Sequence, residues 1–259
     1  MLRENTLFGL RDKEADALDL LRQHEPPEGY YVAYSGGKDS TVILDLVRRS
    51  GVKYDAHYNI TTVDPPELVY HIRKQADVAS ERPAMSMWEL IPRKLMPPTR
   101  IVRYCCAVLK ERGGRGRTVV TGVRAAESVS RRKRHKIEQD KRDPSKNYLH
   151  LIFDWSTAEV WEYIHARGLD YCSLYDEGFK RLGCICCPMG GWRKRLQEAE
   201  RWPRYKALYI RAFDRLIAHR LERGKPCEWR TGRDVWDWWT SPRAGKSETD
   251  GTTPLFEEC

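Results

Sequence analysis

The stretch Tyr30-Tyr31-Val32-Ala33-Tyr34-Ser35-Gly36-Gly37-Lys38-Asp39-Ser40 decides the reading of this chain. A short apolar run of strand type meets two glycines. A helix is expected to follow from 39 to 49, with Val42, Ile43, Leu46 and Val47 on one face and Gly51 just past its end. Backbone N–H groups at such a helix start point outward and attract anions. Gly36 and Gly37 let the main chain turn tightly and approach a phosphate. Ser35 and Ser40 supply hydroxyl donors, Lys38 supplies charge, and Asp39 completes the turn. The spacings G-x-x-x-x-G-K-[ST] and G-x-G-x-x-G of the other common phosphate loops are absent.

Outward from this loop, strands are expected over 53–60, 118–123 and 148–153. Asp64-Pro65-Pro66-Glu67 reads as a helix start with Asp64 as its cap, and Ser156-Thr157-Ala158-Glu159 as a capping box opening a helix to Ala166. Leu7, Leu10, Leu18 and Leu21 predict an amphipathic helix over 2–24, ended by Glu25-Pro26-Pro27-Glu28-Gly29. Strands alternating with helices give an α/β class: a mostly parallel, twisted sheet with helices on both faces. A helical C-terminal region follows, with helices expected over 193–223 and 231–240. The expected division is 1–190 for the nucleotide-binding domain, 191–240 for the helical region and 241–259 for a tail of mobile composition.

Among 259 residues, 46 are Lys or Arg and 37 Asp or Glu, a net charge of +9 that suits a polyanionic partner. No run approaches the roughly 18 apolar residues of a membrane span. The charged opening segment, with Arg3, Glu4, Arg11 and Asp12, lacks the apolar centre of a leader. The expected location is therefore cytoplasmic, with no membrane partner. In that reducing setting close-spaced cysteines bind metal or do redox chemistry rather than form disulfides. Cys105-Cys106 and Cys184-Ile185-Cys186-Cys187 carry five of the eight cysteines. Four soft sulfurs suit Zn²⁺ or an iron–sulfur cluster, and an adjacent Cys-Cys pair is less usual for zinc.

Ser35–Ser40 resembles the pyrophosphate loop of the adenine nucleotide α-hydrolase superfamily. Cys-Cys, a long spacer and Cys-x-x-Cys resemble the [4Fe–4S] ligands of assimilatory adenylyl-sulfate reductases. Thr62-Val63-Asp64-Pro65-Pro66-Glu67 is similar to that family's Asp…Pro-Glu segment. Gly122-Val123-Arg124-Ala125-Ala126-Glu127-Ser128 with Arg131 is similar to its nucleotide motif, and Leu174-Tyr175-Asp176-Glu177-Gly178-Phe179 before Gly183-Cys184 to its approach to the second cysteine group. Over residues 30–190 the chain resembles the phosphoadenylyl-sulfate reductase family in its broad sense, sulfur-inserting enzymes of DNA phosphorothioation included.

The resemblance implies an adenine nucleotide, ATP or adenylyl sulfate, bound by Ser35, Gly36, Gly37, Lys38, Asp39, Ser40, Asp64, Glu67, Arg124, Glu127, Ser128 and Arg131, with Mg²⁺ as an accompanying ion. It implies a [4Fe–4S] cluster, with Zn²⁺ as the alternative, on Cys105, Cys106, Cys184 and Cys187. Cys186 is a spare that could exchange roles with Cys187. Lys110 would lie near the cluster and the substrate anion. Lys38, Asp39, Lys110 and Cys259 are the expected catalytic residues, and a thioredoxin-like protein or a cysteine desulfurase the expected donor of electrons or sulfur.

Two departures bear on the reaction. Sulfonucleotide reductases attack sulfur with the cysteine of a Glu-Cys-Gly-Leu-His motif, whereas this chain carries Phe256-Glu257-Glu258-Cys259, and Cys227 is a second candidate nucleophile. The phosphate loop, usually degraded in those reductases, is intact here. That favours ATP pyrophosphatase chemistry coupled to sulfur transfer. Residues 131–146 hold eight Lys or Arg against three acidic residues and are read either as a nucleic-acid contact or as a solvated loop. Trp192, Trp202, Trp229, Trp236, Trp238 and Trp239 are read mainly as a small core, with base stacking as the alternative.

Overall fold

A computed structural model describes residues 1–6 and 9–242. In chain order its strands are β1 (Arg3–Thr6), β2 (Gly9–Asp12), β3 (Tyr30–Ala33), β4 (Tyr54–Asn59), β5 (Val78–Glu81), β6 (Thr118–Thr121), β7 (Ile137–Gln139) and β8 (Asn147–His150). Its helices are α1 (Lys13–Gln23), α2 (Lys38–Ser50), α3 (Pro66–Arg73), α4 (Met87–Lys94), α5 (Val129–Arg132), α6 (Thr157–Ala166), α7 (Gly191–Arg201), α8 (Pro203–Glu222) and α9 (Gly232–Trp239). The chain clusters into two compact units. One comprises 1–60, 64–82 and 111–183; the other comprises 61–63, 83–110 and 184 onward. The second unit thus draws a middle segment, 83–110, as well as the C-terminal region.

The first unit is an α/β layer fold. Its six-stranded sheet has the order β5-β4-β3-β6-β8-β7. Every pairing is parallel except β7 with β8 at the edge. Val32, Val119, Val120 and Leu149 are buried in it, and Val42, Ile43, Leu46 and Val47 of α2 are fully buried too, as their spacing predicts. Gly51, at φ +78°, ends α2 in the left-handed conformation. From β3 the chain builds outward to β4 and β5, then crosses back to place β6 on the other side of β3. The strand order therefore reverses between β3 and β6, and the crevice beyond their carboxyl ends is where open α/β sheets bind ligands. Ser35–Lys38 leaves one lip of that crevice and Gly122–Ser128 the other.

Three local expectations are corrected. Residues 2–24 are not one helix. β1 and β2 form an antiparallel hairpin pairing Arg3 with Asp12, and Asp12 then caps α1 by accepting the amides of Glu14 and Ala15. Gly9, at φ +112°, takes a backbone conformation that a helix excludes. Asp64 does not cap α3. Pro65 holds that place without a side-chain bond, and the Asp64 carboxylate instead accepts the Tyr58 hydroxyl at 2.5 Å. The single helix expected over 193–223 is two, because Pro203 starts a new helix after the non-helical Trp202.

In the second unit α8 packs against α4 and α9. Trp236 and Trp239, each 1% exposed, meet Tyr209 and Phe213, with the Trp239 ring 5.0 Å from Tyr209 and 5.6 Å from Phe213. Trp202 is buried as well, whereas Trp192, Trp229 and Trp238 are half-buried. Three of these six tryptophans are thus core and three line its margin. Among the described residues, no helix is long and apolar enough to cross a membrane.

Candidate active site

The loop after β3 is fixed by its own side chains. Gly36 sits at φ +69°, and a Cβ there would lie 2.6 Å from Ile72 and 2.7 Å from Leu68 on α3, so only glycine fits. The Ser40 hydroxyl accepts the Ser35 amide at 3.2 Å and donates to the Gly37 carbonyl at 2.8 Å, while the Ser35 hydroxyl donates to Ser40 at 3.3 Å. These serines thus stiffen the turn as well as lining it. Gly37 is the N-cap of α2 and carries no side-chain cap. The Lys38 amide donates to the Tyr175 hydroxyl at 2.9 Å.

Charge converges on this helix start. Lys38, buried except for 5% of its surface, places Nζ 3.2 Å from Asp39 and 5.7 Å from the centre of the Tyr175 ring. Arg124, 2% exposed, donates from Nε to the other Asp39 oxygen at 2.6 Å and reaches the Trp155 carbonyl and the Thr157 hydroxyl with its remaining nitrogens. Gly122 permits this approach, since a Cβ there would lie 2.9 Å from Cβ of Asp39. Glu127 accepts the Arg124 amide at 3.1 Å and pairs with Arg131, and Ser128 caps α5 through the Arg131 amide at 3.2 Å. Burial and then the charge of Arg181, with those of Arg134 and Arg124, lower the Arg131 pKa to about 10 against the pull of Asp39. Cations crowded enough to disfavour one another's charge make a receptive seat for an anion.

Of these groups Lys38, Arg124, Glu127, Thr157, Tyr175 and Arg181 line a cavity of about 580 Å³, while Ser35, Gly36, Gly37, Asp39, Ser40, Ser128 and Arg131 are not among its walls. That volume is within the usual range for a small-molecule site. Aromatic Trp161 and Phe179 and cationic Lys180 complete it. The structure therefore brings Lys38, Asp39, Arg124, Glu127 and Arg131 together. Glu67 instead lines a second cavity of about 490 Å³ with His71, Lys74 and Asp170, and Asp64 is engaged by Tyr58. Thr157, Tyr175, Lys180 and Arg181 were not singled out from sequence as site residues, although Tyr175 lies in a quoted family run.

The second unit holds the cysteines. Cys105 is buried, and its thiol is pushed far up, first by its hydrogen bond with Cys106, then by burial and by the nearby charges of Cys106, Cys184 and Cys187. Burial raises Cys187 too, and the Cys106 charge adds to this, while the Met189 amide and the Lys110 charge oppose it. Arg103 donates to the Cys106 sulfur at 3.4 Å, and Cys184 donates to the Thr61 hydroxyl at 3.5 Å. Cys186 is held apart. At φ +58° its amide donates to Glu198 at 2.7 Å, and its buried thiol donates to the Arg195 carbonyl at 3.4 Å. Among the described residues, no three His, Cys, Asp or Glu side chains are gathered at metal-holding distances. Cys227 is half-buried, with its sulfur 3.5 Å from the Trp229 carbonyl. Cys259 lies outside the described residues.

The basic run 131–146 is partly structural. Arg134 pairs with Glu138, Lys136 stands 3.6 Å from Asp154, and buried Lys146 donates to the Glu111 carbonyl at 3.3 Å. Arg132, Lys133, Lys141 and Arg142 remain exposed.

Comparison with known proteins agrees with this geometry. An adenosine 5'-phosphosulfate reductase of Oceanobacillus iheyensis is 28% identical over 177 residues, which are 60% of this chain and 69% of that protein. An uncharacterized protein of Methanocaldococcus jannaschii is 28% identical over 169 residues, 60% of this chain, and the match spans only 40% of its length. The crystal structure of the phosphoadenylyl-sulfate reductase of Candida auris, a phosphate complex, shares the fold with a TM-score of 0.50 at 20% identity, covering 66% of this chain and 87% of that one. The sequence profile of the phosphoadenosine phosphosulfate reductase domain matches residues 29–189, the span that holds both the phosphate loop and the cysteine groups, and the chain belongs to that family of enzymes.

Proposed function

We propose that this chain is an ATP pyrophosphatase-type sulfur-transfer enzyme that binds the nucleotide in the cavity walled by Lys38, Arg124 and Arg181. One observation carries the reading: the intact Ser35–Ser40 loop contributes Lys38, at the start of α2, to the wall of a cavity where cations outnumber carboxylates. In the reaction an acceptor oxygen attacks the α-phosphorus of ATP, the bond to the β-phosphate oxygen breaks, and pyrophosphate leaves. The acceptor then carries AMP, which a sulfur nucleophile displaces. Lys38 and the α2 amides balance charge on the departing pyrophosphate, Mg²⁺ would add to that balance when bound, and Arg124 holds the Asp39 carboxylate.

Cys105, Cys106, Cys184 and Cys187 would supply a soft-metal site: the charges of the other three act on Cys105, and because no three of them already stand at metal-holding distances, the sulfurs would draw in around the ion. Each is a sulfur donor, and the mutual penalty on their thiolates is what a bound cation relieves. They would hold a [4Fe–4S] cluster, or Zn²⁺ in its place, and the cluster supplies electron or sulfur chemistry. Lys110 would add positive charge beside Cys187. A thioredoxin-like or cysteine-desulfurase partner would supply the electrons or sulfur, and the exposed Arg132, Lys133, Lys141 and Arg142 make nucleic acid a candidate acceptor.

A second reading, reduction of adenylyl sulfate to sulfite, is favoured by the adenosine 5'-phosphosulfate reductases to which the chain is similar at 26–28% identity. In it a cysteine, Cys259 or Cys227, attacks the sulfate sulfur and AMP leaves. Anaerobically purified protein is given ATP with candidate acceptors in one arm, and adenylyl sulfate with reduced thioredoxin in the other. Pyrophosphate in the first arm supports the main reading. Sulfite in the second without pyrophosphate in the first replaces it.

A further inference from the structure

We infer that Tyr175 is a gating residue whose hydroxyl takes the Lys38 amide at the phosphate seat and competes with the nucleotide's polyphosphate for it. The inference rests on the reading of Ser35–Ser40 as a polyphosphate seat. A helix start offers only a few outward amides, and here the Lys38 amide already donates to Tyr175 at 2.9 Å. The Tyr175 oxygen also stands 3.5 Å from the position a Cβ on Gly37 would take, so it lies directly over the turn. The same ring faces the Lys38 ammonium at 5.7 Å. Tyr175 therefore engages both donors that Lys38 offers to an anion.

The geometry that brings it there is local and defined. Tyr175 ends the short helical turn Ser173–Tyr175, and its ring meets the edge of Trp161 at 5.1 Å. Gly178 follows at φ +90°, where an added Cβ would meet nothing, and the chain then supplies Phe179, Lys180 and Arg181 to the same cavity. A phosphate oxygen is a charged acceptor and forms a bond roughly twice as strong as a neutral hydroxyl does. It displaces the phenol, whereas adenosine, with no phosphate, gives the amide no better partner. Tyr175 thereby makes occupancy of the seat selective for ligands with an anion at that point.

The test is calorimetric titration of full-length protein with inorganic pyrophosphate, a non-hydrolysable ATP analogue and adenosine, comparing wild type with Tyr175→Phe. The substitution keeps the ring and removes only the competing oxygen. Pyrophosphate and the analogue are expected to bind the variant roughly three- to tenfold tighter, the net worth of one hydrogen bond, with adenosine unchanged. Equal or weaker binding of both anions overturns the gate. Failure of the wild type to bind either anion instead overturns the phosphate-seat reading. Hydrogen exchange on wild-type protein gives the same answer without a substitution. Adding pyrophosphate should slow exchange at residues 36–41 and speed it at 173–178, and slowing at both overturns the gate.

Discussion

Arg124 Nε stands 2.6 Å from Asp39 Oδ1, joining the strand-end motif after β6 to the first turn of α2. The guanidinium is 2% exposed and spends its other nitrogens on Trp155 and Thr157 at the start of α6. One side chain thus ties three elements around the crevice where the strand order reverses.

Arg124→Ala leaves the Asp39 carboxylate beside the loop without its main partner and strips two acceptors at the α6 start. Removing one member of a buried pair costs about 3–5 kcal/mol, and Asp39 keeps Lys38 and some solvent, so a loss of about 2–4 kcal/mol is expected. Urea unfolding measures it. Anion binding should fall as well, because the freed carboxylate faces the phosphates. A variant as stable as wild type would show that the pair is incidental.

Gly36→Ala tests the loop by sterics. The new methyl would lie 2.6 Å from Ile72 Cγ1 at a φ of +69°. Left-handed backbone costs a non-glycine residue roughly 1–2 kcal/mol, and overpacking adds about 1–3 kcal/mol. The expected result is a lower thermal midpoint together with lost ATP-analogue binding. Gly37→Ala, with its nearest contact at 3.5 Å and ordinary φ, should fold normally.

The loop was legible because its signals are local: a strand-type run, two glycines and a helix face follow one another in sequence. The hairpin β1–β2 was not, because Leu7 and Leu10 fall at helical spacing in the sequence, while a lone glycine, here Gly9 at φ +112°, does not announce a backbone that a helix excludes. The edge strands β5 and β7 are short and mostly exposed, so no apolar run marks them in the sequence. Tyr175 and Arg181 reach the cavity only through the fold, more than 130 residues after Lys38. A charge run likewise conceals that Lys146 is buried and bound to a carbonyl.

Acid should weaken the fold in two steps. His150, 1% exposed, has its pKa lowered from 6.5 to about 4, first by burial and then by Arg134, so it stays neutral while the unfolded chain protonates. Its contribution is present above pH 6.5 and lost as pH falls toward 4. For Glu159, burial acts upward, but the Lys13 ammonium at 2.8 Å and the Ser156 donors outweigh it and set its pKa at about 2. Its contribution is present above pH 4.5 and lost toward pH 2. Each step is on the order of 1–3 kcal/mol. Thermal midpoints across pH should show both windows. His150→Gln should flatten the upper one alone and Glu159→Gln the lower one alone. A single shared transition, unchanged by either variant, would contradict the assignment.

The cysteine set makes the sharpest separation between neighbours. Cys186 and Cys187 are adjacent, yet Cys186 turns its thiol to the Arg195 carbonyl while Cys187 feels the Cys106 charge. If the four thiols hold a cluster, Cys187→Ser removes a ligand, and anaerobically purified protein should carry less than about a tenth of the wild-type iron and sulfide, since losing only a hydrogen-bond partner of a ligand already costs roughly 10- to 100-fold in affinity. Cys186→Ser keeps the shape and a hydroxyl donor for the same carbonyl, so metal content should stay near wild type with only a modest drop in thermal midpoint. Cys105→Ser and Cys106→Ser should follow Cys187. Equal loss of metal from the 186 and 187 variants would mean that the two cysteines are interchangeable ligands, and retention of iron in all four would place the metal elsewhere.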